Sequence, residues 1–128
     1  MKKSGEALEQ LFLALGDRTR LRLLNLMARG EVCVCFFIEV LGEPQPKISR
    51  HLAYLRSAEL VDARRDAKWM HYRITPPTHP TARAAFDAVL ATFEDDREMQ
   101  RDRAALDKAC CSPRAPEILR RAPKPLVS

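Results

Sequence analysis

Leu8, Leu11, Phe12 and Leu15 recur at i, i+3, i+4 and i+7, the spacing that gathers apolar side chains on one helix face. They predict a first amphipathic helix ending at Gly16. Asp17 is suited to cap the free amides of a second helix, which carries Leu21, Leu24 and Met27 and stops near Gly30. A short apolar stretch, residues 32–41, closes at Gly42. Glu43-Pro44-Gln45-Pro46 then reads as a turn, with Pro46 suited to the first position of the next helix. That helix spans residues 47–58, with Ile48, Leu52 and Leu55 as its buried stripe and Lys47, Arg50, Tyr54 and Ser57 on other faces.

The period then changes from helical to alternating. Residues 60–65 and 68–74 read as a β-hairpin around a turn near Asp66-Ala67. Met70, Tyr72 and Ile74 share one face of its second strand, and Trp69, His71 and Arg73 share the other. Pro76-Pro77 ends the strand. A single long helix follows from residue 80 to residue 108, with Phe86, Val89, Leu90 and Phe93 as its stripe. At 1.5 Å per residue it would span roughly 40 Å, long enough to call for a partner, here its copy in a second subunit. Residues 110–128, with Pro113, Pro116, Pro123 and Pro125, are expected to form a poorly ordered tail, leaving 1–109 as one domain.

Composition narrows the function. The chain has 128 residues, enough for one core. With 30% charged residues it lacks the run of about 18 apolar positions that a spanning helix needs. The start leads into an amphipathic pattern rather than a signal-peptide core, which predicts a cytoplasmic protein. The net charge of +5 is unevenly placed: residues 44–75 net +4, whereas residues 94–107 net −3. A basic block of this kind suits a phosphate-facing surface. The four cysteines form two close pairs, Cys33/Cys35 and Cys110/Cys111, and in a reducing compartment such pairs favour metal or redox chemistry over structural disulfides.

Three helices, of which the third is basic, followed by a hairpin with a charged tip give the order of a winged helix-turn-helix. The basic helix would enter the major groove, where Lys47, Ser49, Arg50, His51, Tyr54 and Arg56 are within reach of phosphates or base edges. Arg64, Arg65 and Lys68 at the hairpin tip would meet the adjacent backbone or minor groove. Trp69 suits either core or contact, and His51 either DNA or packing.

Ala14-Leu15-Gly16-Asp17-Arg18-Thr19-Arg20-Leu21, Ile48-Ser49-Arg50-His51-Leu52-Ala53-Tyr54-Leu55-Arg56 and Trp69-Met70-His71-Tyr72-Arg73 closely resemble the ArsR/SmtB family of metalloregulatory repressors. The resemblance covers roughly residues 6–109. It implies a mostly α, winged helix-turn-helix fold and a homodimer on an inverted-repeat operator, with the first and last helices at the dimer interface. Arg18 stands where a proline is common, and Ala67 where the wing turn usually has glycine. Alanine tolerates positive φ poorly, so a different turn is expected there.

Glu31-Val32-Cys33-Val34-Cys35 resembles the cysteine box of the family's arsenic-responsive members. Several of those carry a third cysteine three residues later, where this chain has Ile38. Trivalent arsenic prefers three soft thiolates in a pyramid, so As(III) or Sb(III) would join Cys33 and Cys35 to Cys110 or Cys111. Residues i and i+2 point apart on a helix and share a face on a strand. Ligation by Cys33 and Cys35 therefore needs an extended or distorted backbone at the start of the supporting helix, and a helical apo form would be disrupted by it.

A cadmium- or zinc-responsive repressor and a thiol-redox switch are the alternatives. A sensor of methylated arsenic, which needs two thiolates, is another. An arsenate reductase is not expected: a C-x₅-R phosphate loop would need arginine six residues after a cysteine, and Glu39, Leu41, Pro116 and Glu117 stand there.

Overall fold

The computed structural model describes residues 4–111 and 122–125. Helix α1 (Ser4–Leu15) buries Leu11, Ala14 and Leu15. Phe12 departs from the expected stripe, standing 57% exposed beside Leu13, because the helix packs along a narrower seam. Asp17 starts α2 (Arg18–Leu26) by accepting a hydrogen bond from the Arg20 amide at 3.0 Å. A two-residue strand, β1 (Val32–Cys33), leads straight into α3 (Val34–Leu41). Gly42, at φ 66°, closes α3 through its amide on the Ile38 carbonyl at 3.0 Å.

Helix α4 (Gln45–Ser57) begins one residue before Pro46, which therefore occupies its second position rather than its first. Ile48, Leu52 and Leu55 are fully buried, as the period required. The helix ends with Glu59 in a left-handed conformation and the Leu60 amide on the Leu55 carbonyl. Strands β2 (Val61–Asp66) and β3 (Trp69–Ile74) pair antiparallel from Val61↔Ile74 to Asp66↔Trp69. β1 adds to the other edge of β3, giving the order β1-β3-β2 with Cys33 opposite His71. The hairpin was legible in the sequence. Its third strand was not, because two residues are too short for any period.

The expected single helix over residues 80–108 is instead two. Helix α5 (Pro80–Thr92) runs into a 3₁₀ turn (Phe93–Asp95), the chain turns at Asp96, and α6 (Arg97–Cys111) folds back onto α2 and α3. The reason is local. Asp96 is extended at φ −92°, ψ 123°, and its carboxylate accepts the Met99 amide at 3.0 Å, which makes it a helix cap in the middle of the amphipathic pattern. α6 continues through Cys111, so the second cysteine pair lies on a helix. Of the expected tail, residues 112–121 and 126–128 fall outside the described residues, while Ala122 is buried and Pro125 borders a cavity against α6. Among the described residues no helix is long and apolar enough to cross a membrane.

Ala67 holds φ 54° at the wing tip, so the turn keeps a left-handed residue where a different turn was expected. Left-handed backbone costs a non-glycine residue on the order of 1 kcal/mol. Ala67→Gly is therefore expected to stabilise the chain by up to about 1 kcal/mol, read as a rise in thermal midpoint. A lower midpoint would mean that the tip is unstrained.

A candidate DNA-reading face and thiol centre

Helices α3 and α4 are joined by a three-residue connection and form the two arms of a helix-turn-helix, with the β2–β3 hairpin as the wing. Because α4 buries Ile48, Leu52 and Leu55, its opposite side carries Ser49, Arg50 and Arg56 into solvent. Arg64, Arg65 and Lys68 are likewise exposed on the wing. Several of these candidates have partners. Lys47 pairs with Glu43 at 3.1 Å. Arg64 pairs with Glu31, and this contact holds the Glu31 carboxyl below its usual range. Lys68 stands over the Trp69 ring at 5.1 Å, and Trp69 is partly buried against the core.

His51 and Tyr54 face α2 more than the sequence suggested. His51 Nδ1 lies 3.3 Å from Arg20 Nη1 and 3.8 Å from Asp17 Oδ1, and burial lowers its pKa. The Arg20 guanidinium sits 4.2 Å from the centre of the Tyr54 ring, which stays exposed on its other side. Arg20 also donates to the carbonyls of Ala14 and Leu13. One side chain thus ties the end of α1 to the exposed flank of α4.

The cysteine box folds as a junction. Cys33 ends β1 in extended conformation (φ −71°, ψ 140°) and occupies the N-cap of α3, while Cys35 lies in the first turn of that helix. Bending the chain between them brings the two sulfurs 3.3 Å apart, with the Cys35 thiol donating to Cys33. The extended backbone expected for ligation is present at Cys33, and α3 remains helical. Both cysteines are free thiols, with Cys33 buried and Cys35 half-buried. The hydrogen bond from Cys35 and the amides at the start of α3 outweigh burial and bring the Cys33 pKa down to about 7. The same hydrogen bond and burial push the Cys35 thiol upward, so near neutrality the pair gives up no more than one proton.

The separation of the sulfurs, set here by the hydrogen bond between them, can be compared with the spacing each kind of centre would need. With bonds of about 2.3 Å, a tetrahedral centre would hold two thiolates about 3.8 Å apart, whereas an angle near 90° gives about 3.3 Å. The observed 3.3 Å fits the right-angled, pyramidal case.

The surroundings include groups the sequence did not single out. His71, opposite Cys33, is buried with its Nδ1 3.8 Å from Glu31, and its Nε2 has no hydrogen-bond partner among the described residues. Among the described residues no three His, Cys, Asp or Glu side chains converge to hold an ion. Cys110 is disulfide-bonded and borders a cavity of about 70 Å³ with Val32, the residue before Cys33, and with Asn25 and Arg103. It thus comes from the same chain to the neighbourhood of the box without joining it. The side chain of Cys111 lies outside the described residues.

Polar contacts hold α6 in place. Arg22 donates to both Asp102 oxygens at 2.8 and 3.0 Å. Asn25, fully buried, donates to the Met99 carbonyl at 2.9 Å and accepts from Arg103 at 2.8 Å. Arg103 continues to Glu94 at 2.7 Å. The charged stretch over 94–107 was the signal for these pairings, but apart from Arg103–Glu94 the partners on α2 lie about eighty residues away.

Residues 17–63 match the bacterial regulatory protein arsR family. Over 68 residues the chain is 50% identical to the arsenical resistance operon repressor of Escherichia coli, a match covering 52% of this chain and 58% of that protein. The matched stretch thus spans less than two thirds of that relative's length. With an uncharacterized HTH-type transcriptional regulator of Methanocaldococcus jannaschii it shares 47% identity over 75 residues, which is 58% of this chain and 83% of that one. Among solved structures, HlyU from Vibrio cholerae N16961 superposes with a TM-score of 0.60 at 26% identity, covering 70% of this chain and 94% of that one. With the helix-turn-helix and wing in place and the M. jannaschii regulator matched over most of its length, the chain belongs to the arsR family of bacterial regulatory proteins.

Proposed function

We propose that this chain is a cytoplasmic DNA-binding repressor of an arsenical-resistance operon, acting as a homodimer and released from its operator by As(III) or Sb(III). The observation that carries the proposal is the meeting of two free thiols 3.3 Å apart at the start of α3, the helix that precedes the DNA-reading helix α4. Soft pyramidal ions suit that pair. The third thiolate for an inorganic ion would come from Cys110 or Cys111, once reduced, at the end of α6. Phe12 and Leu13, exposed on α1, supply an apolar face for the second subunit. Two copies of α4 would then sit about 34 Å apart in successive major grooves of an inverted repeat.

In the apo dimer, Lys47, Ser49, Arg50, His51, Tyr54 and Arg56 on α4 and Arg64, Arg65 and Lys68 on the wing form the DNA surface. Arg50 and Arg56 act directly, while His51 and Tyr54 are held by Arg20 and orient the helix. Arg50→Ala is expected to weaken DNA binding and, where Arg50 meets a phosphate, to flatten the dependence of log affinity on log salt by about one unit. Fluorescence anisotropy across a salt series reads both. An unchanged affinity would remove α4 from the interface.

The test of the whole reading is a titration of the protein–promoter complex with arsenite, antimonite, cadmium and zinc, and separately with diamide. Release by arsenite and antimonite at the lowest concentrations is expected. Release by zinc or cadmium alone would favour the divalent-ion reading, and release by diamide without metalloid a redox switch.

A further inference from the structure

We propose that Arg20 of α2 sets where His51 carries its proton, holding the ring as a donor through Nε2 for an acceptor atom on DNA. The inference rests on the assignment of α4 to the DNA surface and makes Arg20 a positioning residue for that contact.

The Arg20 guanidinium is fixed on every side. Its Nε donates to the Ala14 carbonyl at 2.7 Å and its Nη2 to the Leu13 carbonyl at 2.9 Å, while its carbon lies 4.2 Å from the centre of the Tyr54 ring. The remaining nitrogen, Nη1, lies 3.3 Å from His51 Nδ1. Arginine only donates, so this contact is a hydrogen bond only when Nδ1 offers its lone pair. A neutral ring with Nδ1 bare carries its proton on Nε2.

A second group competes for the same nitrogen. Asp17 Oδ1 lies 3.8 Å from Nδ1, and a carboxylate would draw a proton onto it. The Arg20 contact is the nearer of the two and favours the bare nitrogen. An imidazolium could satisfy Asp17, but burial of the ring, with the Arg20, Lys47 and Arg50 charges, outweighs Asp17 and lowers the His51 pKa. With Nδ1 taken up by α2, Nε2 is the ring nitrogen left for DNA. Phosphate oxygens and the N7 and O6 atoms of guanine are acceptors, so they meet an Nε2–H and repel an Nε2 lone pair.

The test uses full-length protein with nitrogen-labelled histidine at about pH 7.5, above the ordinary histidine range. Long-range proton–nitrogen NMR correlations distinguish the tautomers, and among the 3 histidines His51 is assigned from the signal lost in His51→Gln. Anisotropy reads promoter affinity. Wild type should show His51 protonated on Nε2. Arg20→Met, which keeps the length but donates nothing, should move the proton to Nδ1 and weaken DNA binding by about tenfold. Adding Asp17→Asn should return the proton to Nε2, because asparagine still caps α2 with its oxygen and offers an N–H to Nδ1. That double variant should regain at least about threefold in affinity, although the contacts of Arg20 with α1 and Tyr54 stay lost. A purely structural role for Arg20 predicts no such rescue. A wild-type ring protonated on Nδ1, or an Nε2 proton that stays in place in Arg20→Met, overturns the inference. So does a proton that moves while DNA affinity holds. Should Arg20→Met not fold, the wild-type spectrum still decides between the two tautomers. His51→Ala with wild-type affinity would instead take His51 off the DNA surface and sink the assignment beneath.

Discussion

Cys33→Ser is expected to raise the arsenite concentration needed for DNA release by at least about 100-fold while leaving DNA affinity within about threefold of wild type. The expectation follows from where the sulfur sits. Cys33 is almost wholly buried, is the group whose ionisation the Cys35 thiol and the α3 amides support, and lies on the extended side of the junction. A serine hydroxyl is nearly the same size but is a hard donor that stays protonated at neutral pH, so it does not replace a thiolate on a soft ion. The substitution is also kind to the fold. Cys33 is the N-cap of α3 and makes no capping hydrogen bond, whereas serine is among the preferred residues for that position. The variant should therefore melt no more than a few degrees from wild type, so a lost response reports ligation rather than unfolding. A Cys33→Ser protein that still lets go of DNA at the wild-type arsenite concentration would remove the box from the sensing mechanism.

The separation of folding from chemistry at this position also explains which parts of the molecule could be read in advance. The helices over 18–26 and 45–57 announce themselves because each has a sequence-local start: Asp17 as a cap, Pro46 near the first turn, and an apolar residue on every turn thereafter. The hairpin announces itself through alternation. What the period could not reveal was the break at Asp96, because the amphipathic pattern continues across it and only the carboxylate's capping of the Met99 amide interrupts the helix. Nor could it reveal β1, whose existence depends on β3 offering its free edge to Val32 and Cys33.

At the thiol centre the limits were of the same kind. The i, i+2 spacing posed a choice between strand and helix, and the chain takes neither alone. It places one cysteine on each side of a strand-to-helix joint, a geometry that no periodicity encodes. On the DNA side, Arg50 and Arg56 could be assigned to the exposed flank of α4 from the buried stripe opposite. The engagement of His51 and Tyr54 by Arg20 could not, because it depends on how α2 crosses α4. Arg22 and Asp102 are a stronger instance, since neither residue stands out from its charged neighbours until α6 is seen to fold back over α2.

Asp102→Ala is expected to destabilise the α6–α2 interface by up to about 3 kcal/mol, the cost of breaking a buried ion pair, less what Glu98 at 3.8 Å from Arg22 still compensates. Asp102 is 7% exposed and Arg22 19%, and their contact is bidentate, so water replaces little of what is lost. Because α6 lies outside residues 17–63, the family-matching core should survive its loosening. Amide hydrogen exchange should accelerate across residues 97–110 and change little across residues 45–57. DNA affinity should fall only modestly, because Arg20 rather than Arg22 supports Tyr54 and His51. Arsenite sensitivity should fall much further, because the helix that carries Cys110 no longer rests beside Val32. An Arg22→Leu/Asp102→Leu pair separates charge from contact: apolar packing can hold α6 where a stranded arginine cannot, so this variant should regain most of the lost protection. If Asp102→Ala leaves exchange over residues 97–110 unchanged, then α6 is held by its apolar face, by Met99 and Leu106, and the ion pair serves only to fix its register.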